Sequence, residues 1–143
     1  MSAQLEAKLE EGTGVQLDFA KLAKIGEKGQ HVVPVVLQDS ESKDVLYIGY
    51  VNDLALAETL KTRRAVLWST SRNELWRKGE TSGDVLELVD VRINCEQNSL
   101  LYVVRPTRGG CCHTKDSSGR TRRTCYYRRL DSESQAAFLD GMR

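Results

Sequence analysis

Short apolar runs separated by turn-forming segments place the strongest constraint on how this chain can fold. Val32 to Leu37 and Val45 to Val51 have the length of strands and are joined by the turn-rich segment DSESKD, a pattern that predicts a β-hairpin. Further strand-like runs follow at Ala65 to Ser69, Val85 to Cys95 and Leu100 to Val104. These runs do not alternate regularly with helical segments, so the sequence favours a compact α+β fold with a mixed sheet over a doubly wound parallel sheet.

Helical segments are few and short. Apolar residues at helical spacing predict two helices, at Gln4 to Glu11 and at Leu17 to Ile25. A third helix is predicted over residues 52 to 61, because Asn52 is a good N-cap residue and Leu56 and Leu60 lie one turn apart on a buried face. The near-continuous apolarity of the first hairpin predicts that its strands are buried on both faces.

The length of the chain fits a single domain. Its 143 residues, 40% of them hydrophobic and 29% charged, suit one core. No apolar run approaches the roughly 20 residues needed to cross a bilayer, and the N-terminal stretch MSAQLEAKLEEG lacks the apolar centre of a signal peptide. We therefore expect a cytoplasmic protein with no membrane partner, whose four cysteines are thiols or metal ligands.

Polar donors are concentrated in residues 68 to 83, which read WSTSRNELWRKGETSG between two apolar runs. Hydroxyls, the cations Arg72, Arg77 and Lys78, and backbone amides near Gly79 and Gly83 are the donor types that bind phosphate oxygens. The segment is therefore a candidate binding site for a phosphorylated ligand. Taken by itself, it also fits a solvated hairpin without a ligand.

A cysteine ends the fourth of these apolar runs. From residue 89 the sequence VDVRINCE alternates cleanly, so Cys95 is predicted to face the apolar side together with Val91 and Ile93. A cysteine at such a position is usually a small buried hydrophobe. The spacing of Cys95, Cys112 and Cys125 is not a pair of C-x-x-C motifs, so spacing alone does not indicate a zinc site.

Four motifs occur in this chain in the order in which one enzyme family has them. WSTSRNELWRKGETSG is similar to SRSR-x-x-LW-x-KGETSG, and VVPVVLQDSESKDVLYIGYVNDLAL is similar to V-P-x-V-x-Q-D followed by V-L-M-x-A-Y-M-N-x-x-A-L. Residues 91 to 104 are similar to a D-C-D-x-D strand, and Cys112-His113-Thr114 begins a segment similar to a C-H-T-G, S-C-F ending. The chain thus resembles phosphoribosyl-AMP cyclohydrolase, a hydrolase of histidine biosynthesis. Thr70 stands where that family usually has arginine.

The resemblance runs from Leu17 to Tyr126 and implies a mainly β domain that forms an obligate homodimer. We expect an N-terminal helical extension at residues 1 to 16, a cyclohydrolase-like domain at 17 to 130 and a C-terminal helical tail at 131 to 143. Members of the family are often fused to a pyrophosphatase. This chain is expected to be a stand-alone version.

The resemblance also implies one zinc ion per subunit. Cys95 of one subunit would bind it together with Cys112 and Cys125 of the other. Three thiolates leave a fourth tetrahedral position open, as in catalytic zinc sites, where zinc lowers the pKa of a bound water to about 7. The neighbouring Cys111 is an alternative ligand; we prefer Cys112 because it directly precedes His113.

Two departures from the family concern metals and spacing. Asn94, Glu96 and Asn98 occupy positions where the family has three aspartates that bind magnesium. Because magnesium prefers carboxylate oxygen and water, two amides should weaken or abolish that site, and a solvated polar turn is the alternative. Twelve residues lie between Cys112 and Cys125 where the family has six, owing to an arginine-rich insertion in residues 115 to 124.

The reaction implied by the resemblance opens the purine ring of 1-(5-phosphoribosyl)-AMP by attack at C6 and cleavage of the C6–N1 bond. His113 is the candidate for proton transfer, since imidazole titrates near neutrality. A second cationic region for the second phosphate would come from the inserted arginines or from Arg105. The predicted substrate-binding residues are Ser69, Ser71, Arg72, Trp76, Lys78, Glu80, Thr81 and Ser82.

Two other functions remain compatible with the sequence. The departures at residues 70, 94 and 98 and in the insertion fit a divergent enzyme that acts on another purine or a pyrimidine-type substrate. The run RTRRTCYYRR, in which cations flank aromatic residues, fits a zinc-stabilised nucleic-acid-binding module. A nucleic acid is the less favoured partner, because the positive charge is confined to one segment and the KGETSG block would then have no purpose.

Overall fold

The computed structural model describes residues 9 to 143. Residues 9 to 11 are helical, and the two complete helices are α1 (Lys21–Glu27) and α2 (Asp53–Thr62). The strands are β1 (Val33–Asp39), β2 (Val45–Val51), β3 (Val66–Ser69), β4 (Glu74–Arg77), β5 (Leu86–Ile93), β6 (Leu100–Pro106), β7 (Arg128–Leu130) and β8 (Ala136–Phe138). In this described part of the chain, every helix is too short or too polar to cross a bilayer.

A four-stranded mixed sheet organises the domain, in the order β2-β1-β6-β5. Strand β1 is antiparallel to β2 and parallel to β6, and β5 is antiparallel to β6. Two further hairpins, β3-β4 and β7-β8, lie outside this sheet. The predicted α+β class with a mixed sheet and a few short helices is therefore confirmed, as is the β1-β2 hairpin.

The core lies between one face of the sheet, helix α2 and strand β3. Helix α2 begins at Asn52, whose side chain accepts the Ala55 amide at 2.9 Å, as the sequence predicts. Its buried face is formed by Ala55 and Thr59, whereas Leu60 is 49% exposed. The prediction that Leu56 and Leu60 form the buried face is thus wrong in part. The small residues of the observed face allow close packing, and the Thr59 hydroxyl accepts the Val66 amide at 3.0 Å.

The first hairpin is buried on one face only. Val35, Leu37 and Leu46 are fully buried, whereas Val45 and Ile48 are exposed. The prediction of burial on both faces is therefore wrong for a single chain. Strand β2 is at the edge of the sheet, and an apolar surface at an edge strand is available to a partner.

A β-bulge changes the face assignment in β5. The pairing register with β6 shifts between Leu88 and Asp90, so Val89 lies in the bulge and is half exposed, while Val91 still packs against the core. One extra residue in a strand moves the residues around it between faces. Cys95 follows the strand and is exposed, so the prediction that it faces the apolar interior is wrong.

The two ends of the chain differ from the predictions. Residues 131 to 143 form strand β8 and turns in place of the expected helical tail, because the Asp131 carboxylate accepts the amides of Glu133 and Gln135 at 2.9 Å each and closes the β7-β8 turn. The helix predicted from Leu17 begins only at Lys21. Of the helix predicted over residues 4 to 11, residues 4 to 8 lie outside the described chain.

Candidate active site

The segment 68–83 folds around an open cavity of about 750 Å³, here called the signature cavity. The segment contains the end of β3 and the whole of β4, a strand that the sequence analysis missed although E-L-W-R alternates. The cavity brings together six of the eight predicted substrate-binding residues with Cys112 and His113. Those six are Arg72, Trp76, Lys78, Glu80, Thr81 and Ser82.

Two glycines shape the turn that follows β4. Gly79 and Gly83 have φ values of +83° and +85°, where a side chain would be strained. A Cβ at Gly79 would collide with the backbone of Asp84, and one at Gly83 with the Arg108 guanidinium. The Gly83 amide donates to the Gly79 carbonyl at 2.8 Å. That amide is therefore engaged within the turn, so the loop offers hydroxyls and cations to a ligand in preference to this N–H.

Lys78 and Trp76 form one wall of the signature cavity. The Lys78 side chain is buried, and its ammonium lies 5.9 Å from the centroid of the Trp76 ring, within the range of a cation–π interaction. Trp76 is 42% exposed, so it is a surface of the cavity and not a core residue. Trp68, in contrast, packs against the core.

Ser69 and Ser71 lie elsewhere. They line a separate cavity of about 230 Å³, which shares Trp76 with the signature cavity. Their hydroxyls are 3.4 Å apart, and the Ser69 hydroxyl accepts the Arg72 amide at 3.2 Å. The structure therefore does not bring these two predicted binding residues together with the other six.

The departure at Thr70 is accompanied by a nearby cation. Thr70 is buried, and its carbonyl accepts hydrogen bonds from the Lys28 ammonium and the Gln30 side-chain amide, each at 3.2 Å. An ammonium group thus lies beside the position where the family has arginine.

Three thiols meet at the edge of the signature cavity, and we call Cys111, Cys112 and Cys125 the thiol cluster. Hydrogen bonding to Cys125, together with burial, raises the pKa of Cys112 well above its usual range. Hydrogen bonding to Cys111 raises the pKa of Cys125 to about 12. Cys112 lies 3.0 Å from the Thr114 hydroxyl oxygen and lines the cavity, whereas Cys111 belongs to the hydrophobic core. Cys112 is therefore the better placed of the two vicinal cysteines.

The insertion does not separate these thiols, because it folds back on itself. Lys115 and Thr121 form an antiparallel bridge, and the amides of Cys111 and Cys112 both donate to the Arg122 carbonyl, at 3.1 and 3.0 Å. The twelve residues between Cys112 and Cys125 thus span a short distance. This fold of the insertion is compatible with the expectation that the loop brings both thiols to one ion, which stays a prediction.

The chemistry of the thiol cluster fits zinc, which thiolates bind well. Among residues 9 to 143, no group of three His, Cys, Asp or Glu side chains has the arrangement to hold a metal by itself. Cys95 is exposed in the turn between β5 and β6 and does not line the signature cavity. Within the described chain, Cys95 therefore lies apart from the cavity that Cys112 lines.

The residues predicted for magnesium form a closed turn, here called the polar turn (Asn94, Glu96 and Asn98). The Asn94 side-chain oxygen accepts the amides of Asn98 and Ser99 at 2.9 Å each, and its NH₂ donates to the Asn98 side-chain oxygen at 2.6 Å. The NH₂ of Asn98 donates to the Glu96 carboxylate at 3.3 Å. These oxygens already accept hydrogen bonds and only one is from a carboxylate, so this donor set does not fit magnesium.

His113 lies on the wall of the signature cavity next to Cys112. Its side chain is 78% exposed, and its Nε2 is 3.0 Å from the Glu10 carboxylate. A carboxylate on one ring nitrogen orients an imidazole. The arrangement is chemically suited to passing a proton to or from a ligand in the cavity.

Most arginines near the insertion are engaged in the fold. Arg105 pairs with Glu87, and Arg123 pairs with Asp44 at 2.8 Å. Arg128 donates to two backbone carbonyls, those of residues 9 and 12, at 2.7 and 3.0 Å. These contacts give no support to the suggestion that Arg105 or the inserted Arg123 holds a phosphate, which stays a prediction.

Arg122 is buried and forms a structural anchor. Its guanidinium makes a bidentate ion pair with Glu11 at 2.7 and 3.0 Å, donates to the Met142 carbonyl at 2.7 Å and lies 4.1 Å from the centroid of the Tyr127 ring. Hydrogen bonding to Arg122 lowers the pKa of the Glu11 carboxyl. These contacts leave Arg122 unavailable to a ligand.

The sequence analysis missed Arg108 and Lys115 as cavity residues. Both line the signature cavity. Their position on either side of the Cys-Cys-His-Thr segment was the one available indication, since a loop that carries Cys112 and His113 also carries its neighbours to the same place.

Comparison with known proteins relates the chain to one enzyme family. The profile of the family described as phosphoribosyl-AMP cyclohydrolase matches residues 47–127, which include most of β2, the segment 68–83 and the thiol cluster. The chain is 45% identical over 107 residues to a phosphoribosyl-AMP cyclohydrolase of Archaeoglobus fulgidus, covering 75% of this chain and 91% of that protein.

Two other relatives extend this similarity. A phosphoribosyl-AMP cyclohydrolase of Roseobacter denitrificans is 46% identical over 115 residues, covering 80% of this chain and 82% of the relative. A histidine biosynthesis bifunctional protein of Thermus thermophilus is 44% identical over 119 residues, covering 82% of this chain and 51% of that protein. The chain therefore spans about half of the bifunctional relative.

Proposed function

This chain belongs to the phosphoribosyl-AMP cyclohydrolase family, a family of hydrolases that act on a carbon–nitrogen bond, and we propose that it opens the purine ring of 1-(5-phosphoribosyl)-AMP in histidine biosynthesis. Water adds to C6, the C6–N1 bond breaks, and N1 takes up a proton. The product carries a carboxamide, whose nitrogen is the former exocyclic amine, and a formimino group.

One observation carries this proposal. The signature cavity places cations, hydroxyls, an indole, a thiol and an imidazole around one space of about 750 Å³, which is within the usual size of a small-molecule site. A phosphorylated nucleotide needs cations and hydroxyls for its phosphate and an aromatic or apolar surface for its base. Arg72, Lys78 and Trp76 supply these groups on one wall.

We assign separate tasks to the residues of the cavity. Arg72 and the hydroxyls of Thr81 and Ser82 hold a phosphate, and the Glu80 carboxylate accepts a hydrogen bond from a ribose hydroxyl. His113, oriented by Glu10 at 3.0 Å, transfers a proton to the departing ring nitrogen.

We further propose that the enzyme uses one zinc ion per subunit, held by Cys112 and Cys125 of one chain and by Cys95 of a second copy. When bound, such an ion supplies a water of lowered pKa as the nucleophile. The exposure of Cys95, and of apolar side chains such as Ile48 and Ile93, supports a homodimer in which these surfaces meet.

The primary experiment is an assay of the purified, zinc-loaded protein on 1-(5-phosphoribosyl)-AMP, following the absorbance of the ring-opened product. We expect turnover that is lost with His113→Ala. Glu10→Gln is the matched test of orientation, and it should lower kcat less than His113→Ala does, since it removes only the partner of the imidazole. A zinc-loaded protein without turnover would refute the proposed substrate.

The shared site can be tested by mixing two inactive variants. Cys95→Ser and Cys112→Ser should each be inactive alone, yet a mixed dimer contains one intact site, formed by the Cys95 of one chain and the Cys112 and Cys125 of the other. After exchange of subunits, about a quarter of the wild-type activity should return. Recovery should fail for Cys112→Ser mixed with Cys125→Ser, which is the matched control.

The two alternative functions differ in support. A divergent substrate remains testable in the same assay, by comparing 1-(5-phosphoribosyl)-AMP with other purine and pyrimidine nucleotides. The nucleic-acid-binding alternative has less support, because within the described chain Arg122 is buried against Glu11 and Arg123 pairs with Asp44, so neither presents a free cation to a nucleic-acid backbone.

A further inference from the structure

The insertion contains a small, well-ordered hairpin. Lys115 and Thr121 pair across it, and the Asp116 side chain accepts the amides of Ser118 and Arg120 at 2.9 and 3.0 Å. The Ser118 hydroxyl donates to the same carboxylate at 2.6 Å. These internal hydrogen bonds hold Asp116 in the turn, so its negative charge is turned toward the hairpin backbone.

The base of this hairpin is anchored to both ends of the described chain. Arg122 binds the Glu11 carboxylate and the Met142 carbonyl, and the Ser117 amide donates to the Arg143 carbonyl at 2.7 Å. A loop held at its base and at its turn presents its outward side chains in a defined position.

Those side chains border a second cavity of about 460 Å³, here called the insertion cavity, which adjoins the signature cavity. Arg108, Lys115 and Asp84 line both cavities, and Arg120 lines the second alone. Three cations and one carboxylate leave two positive charges in excess. This excess matches a phosphate monoester, which is close to a dianion at neutral pH.

The cations of the insertion cavity are available to a ligand. The Arg108 guanidinium donates to the Ser82 carbonyl at 3.0 Å. This bond holds Arg108 against the turn that follows β4 and leaves its other N–H groups able to bind a ligand. Within residues 9 to 143, the structure shows no acceptor for the side chains of Lys115 and Arg120, unlike Arg122 and Arg123 in the same insertion.

We propose that Arg108, Lys115 and Arg120 form a subsite for one of the two phosphates of the substrate, and this inference rests on the proposed function. Arg72 and the hydroxyls of Thr81 and Ser82 hold the other phosphate. The insertion thereby acts as a specificity element that favours a substrate with a phosphate at each end over a nucleotide with one. Arginine suits this role because its planar guanidinium can donate two parallel hydrogen bonds to phosphate oxygens.

The decisive pair of variants removes one arginine each from the same insertion. Arg120→Gln should raise KM for 1-(5-phosphoribosyl)-AMP about tenfold with kcat nearly unchanged, because a lost charge-assisted hydrogen bond to a non-reacting group weakens substrate and transition state alike. Arg123→Gln removes the same charge from an exposed ion pair with Asp44 and should leave both constants unchanged. Equal effects of the two substitutions would overturn the proposal.

Binding measurements identify the phosphate and do not depend on turnover. Calorimetry with AMP and with ribose 5-phosphate should show that Arg120→Gln weakens the binding of one of the two compounds about tenfold relative to Arg123→Gln. The compound whose binding is weakened identifies the phosphate that occupies the subsite. Unchanged binding of both would refute the subsite even if the wild type opens the ring. A wild type without turnover would refute the proposed reaction, and the binding comparison would still decide the subsite.

Discussion

The thiol cluster and the polar turn both gather candidate metal ligands, yet the two regions differ in whether the ligand atoms open onto a cavity. In the thiol cluster, the Cys112 sulfur lies 3.0 Å from the Thr114 hydroxyl oxygen and opens onto the signature cavity. In the polar turn, the side-chain oxygens accept backbone and side-chain hydrogen bonds that close the turn itself. Convergence of ligand atoms is therefore insufficient for a metal site, since the atoms must also open onto a space that an ion can enter.

The largest expected effect comes from the thiol cluster. Cys125→Ser should release zinc and lower turnover about a thousandfold or more, because a metal ligand and the Lewis acid are lost together. Metal analysis of the purified variant and the ring-opening assay measure the two losses. Full zinc content in Cys125→Ser would remove this residue from the ligand set.

The polar turn should respond in stability and not in catalysis. Asn94→Ala removes the acceptor of the Asn98 and Ser99 amides, each at 2.9 Å, and should lower the free energy of unfolding by about 1–3 kcal/mol. Urea unfolding measures this change, while KM and kcat should stay at the wild-type values. Asn94→Asp keeps an acceptor oxygen and should restore most of the stability. A loss of turnover with Asn94→Ala at normal zinc content would show that the turn has a catalytic task.

Magnesium offers a direct comparison of the two regions. Addition of magnesium to the zinc-loaded wild type should change turnover by less than about twofold, because the polar turn has one carboxylate. The double change Asn94→Asp and Asn98→Asp supplies two more carboxylates and should bind magnesium measurably in a calorimetric titration. Strong activation of the wild type by magnesium would contradict the assignment of the turn as structural.

The smallest expected effect is that of Cys111→Ser. Cys111 is buried in the core with its sulfur 3.9 Å from the Leu46 carbonyl oxygen, so serine should cost about 1 kcal/mol or less in stability. Zinc content and turnover should remain at the wild-type values. Loss of zinc in this variant, with retention in Cys112→Ser, would exchange the roles of the two vicinal cysteines.

Local sequence patterns predicted local structure well. The turn-rich segment between two apolar runs predicted the β1-β2 hairpin, and Asn52 predicted the start of α2. Six of the eight predicted binding residues line one cavity, because they lie on one short segment whose glycines force a turn. These features depend on residues that are close in the sequence.

The incorrect predictions depend on contacts between distant residues or on where a strand ends. Cys95 is exposed because β5 ends at Ile93 and Cys95 lies in the following turn, a strand end that clean alternation does not reveal. The engagement of Arg122 depends on Glu11, which is 111 positions away in the sequence, so composition alone made the insertion look uniformly cationic. The zinc ligand set and its sharing across a dimer stay predictions.

The Arg122 anchor has a practical consequence for handling the protein. One guanidinium ties a residue near each end of the described chain to the base of the insertion hairpin. A purification tag, or the removal of a few terminal residues, can therefore weaken substrate affinity without altering any cavity-lining side chain. Natural variation near either terminus should likewise change enzyme kinetics more readily than variation on the outer face of the sheet.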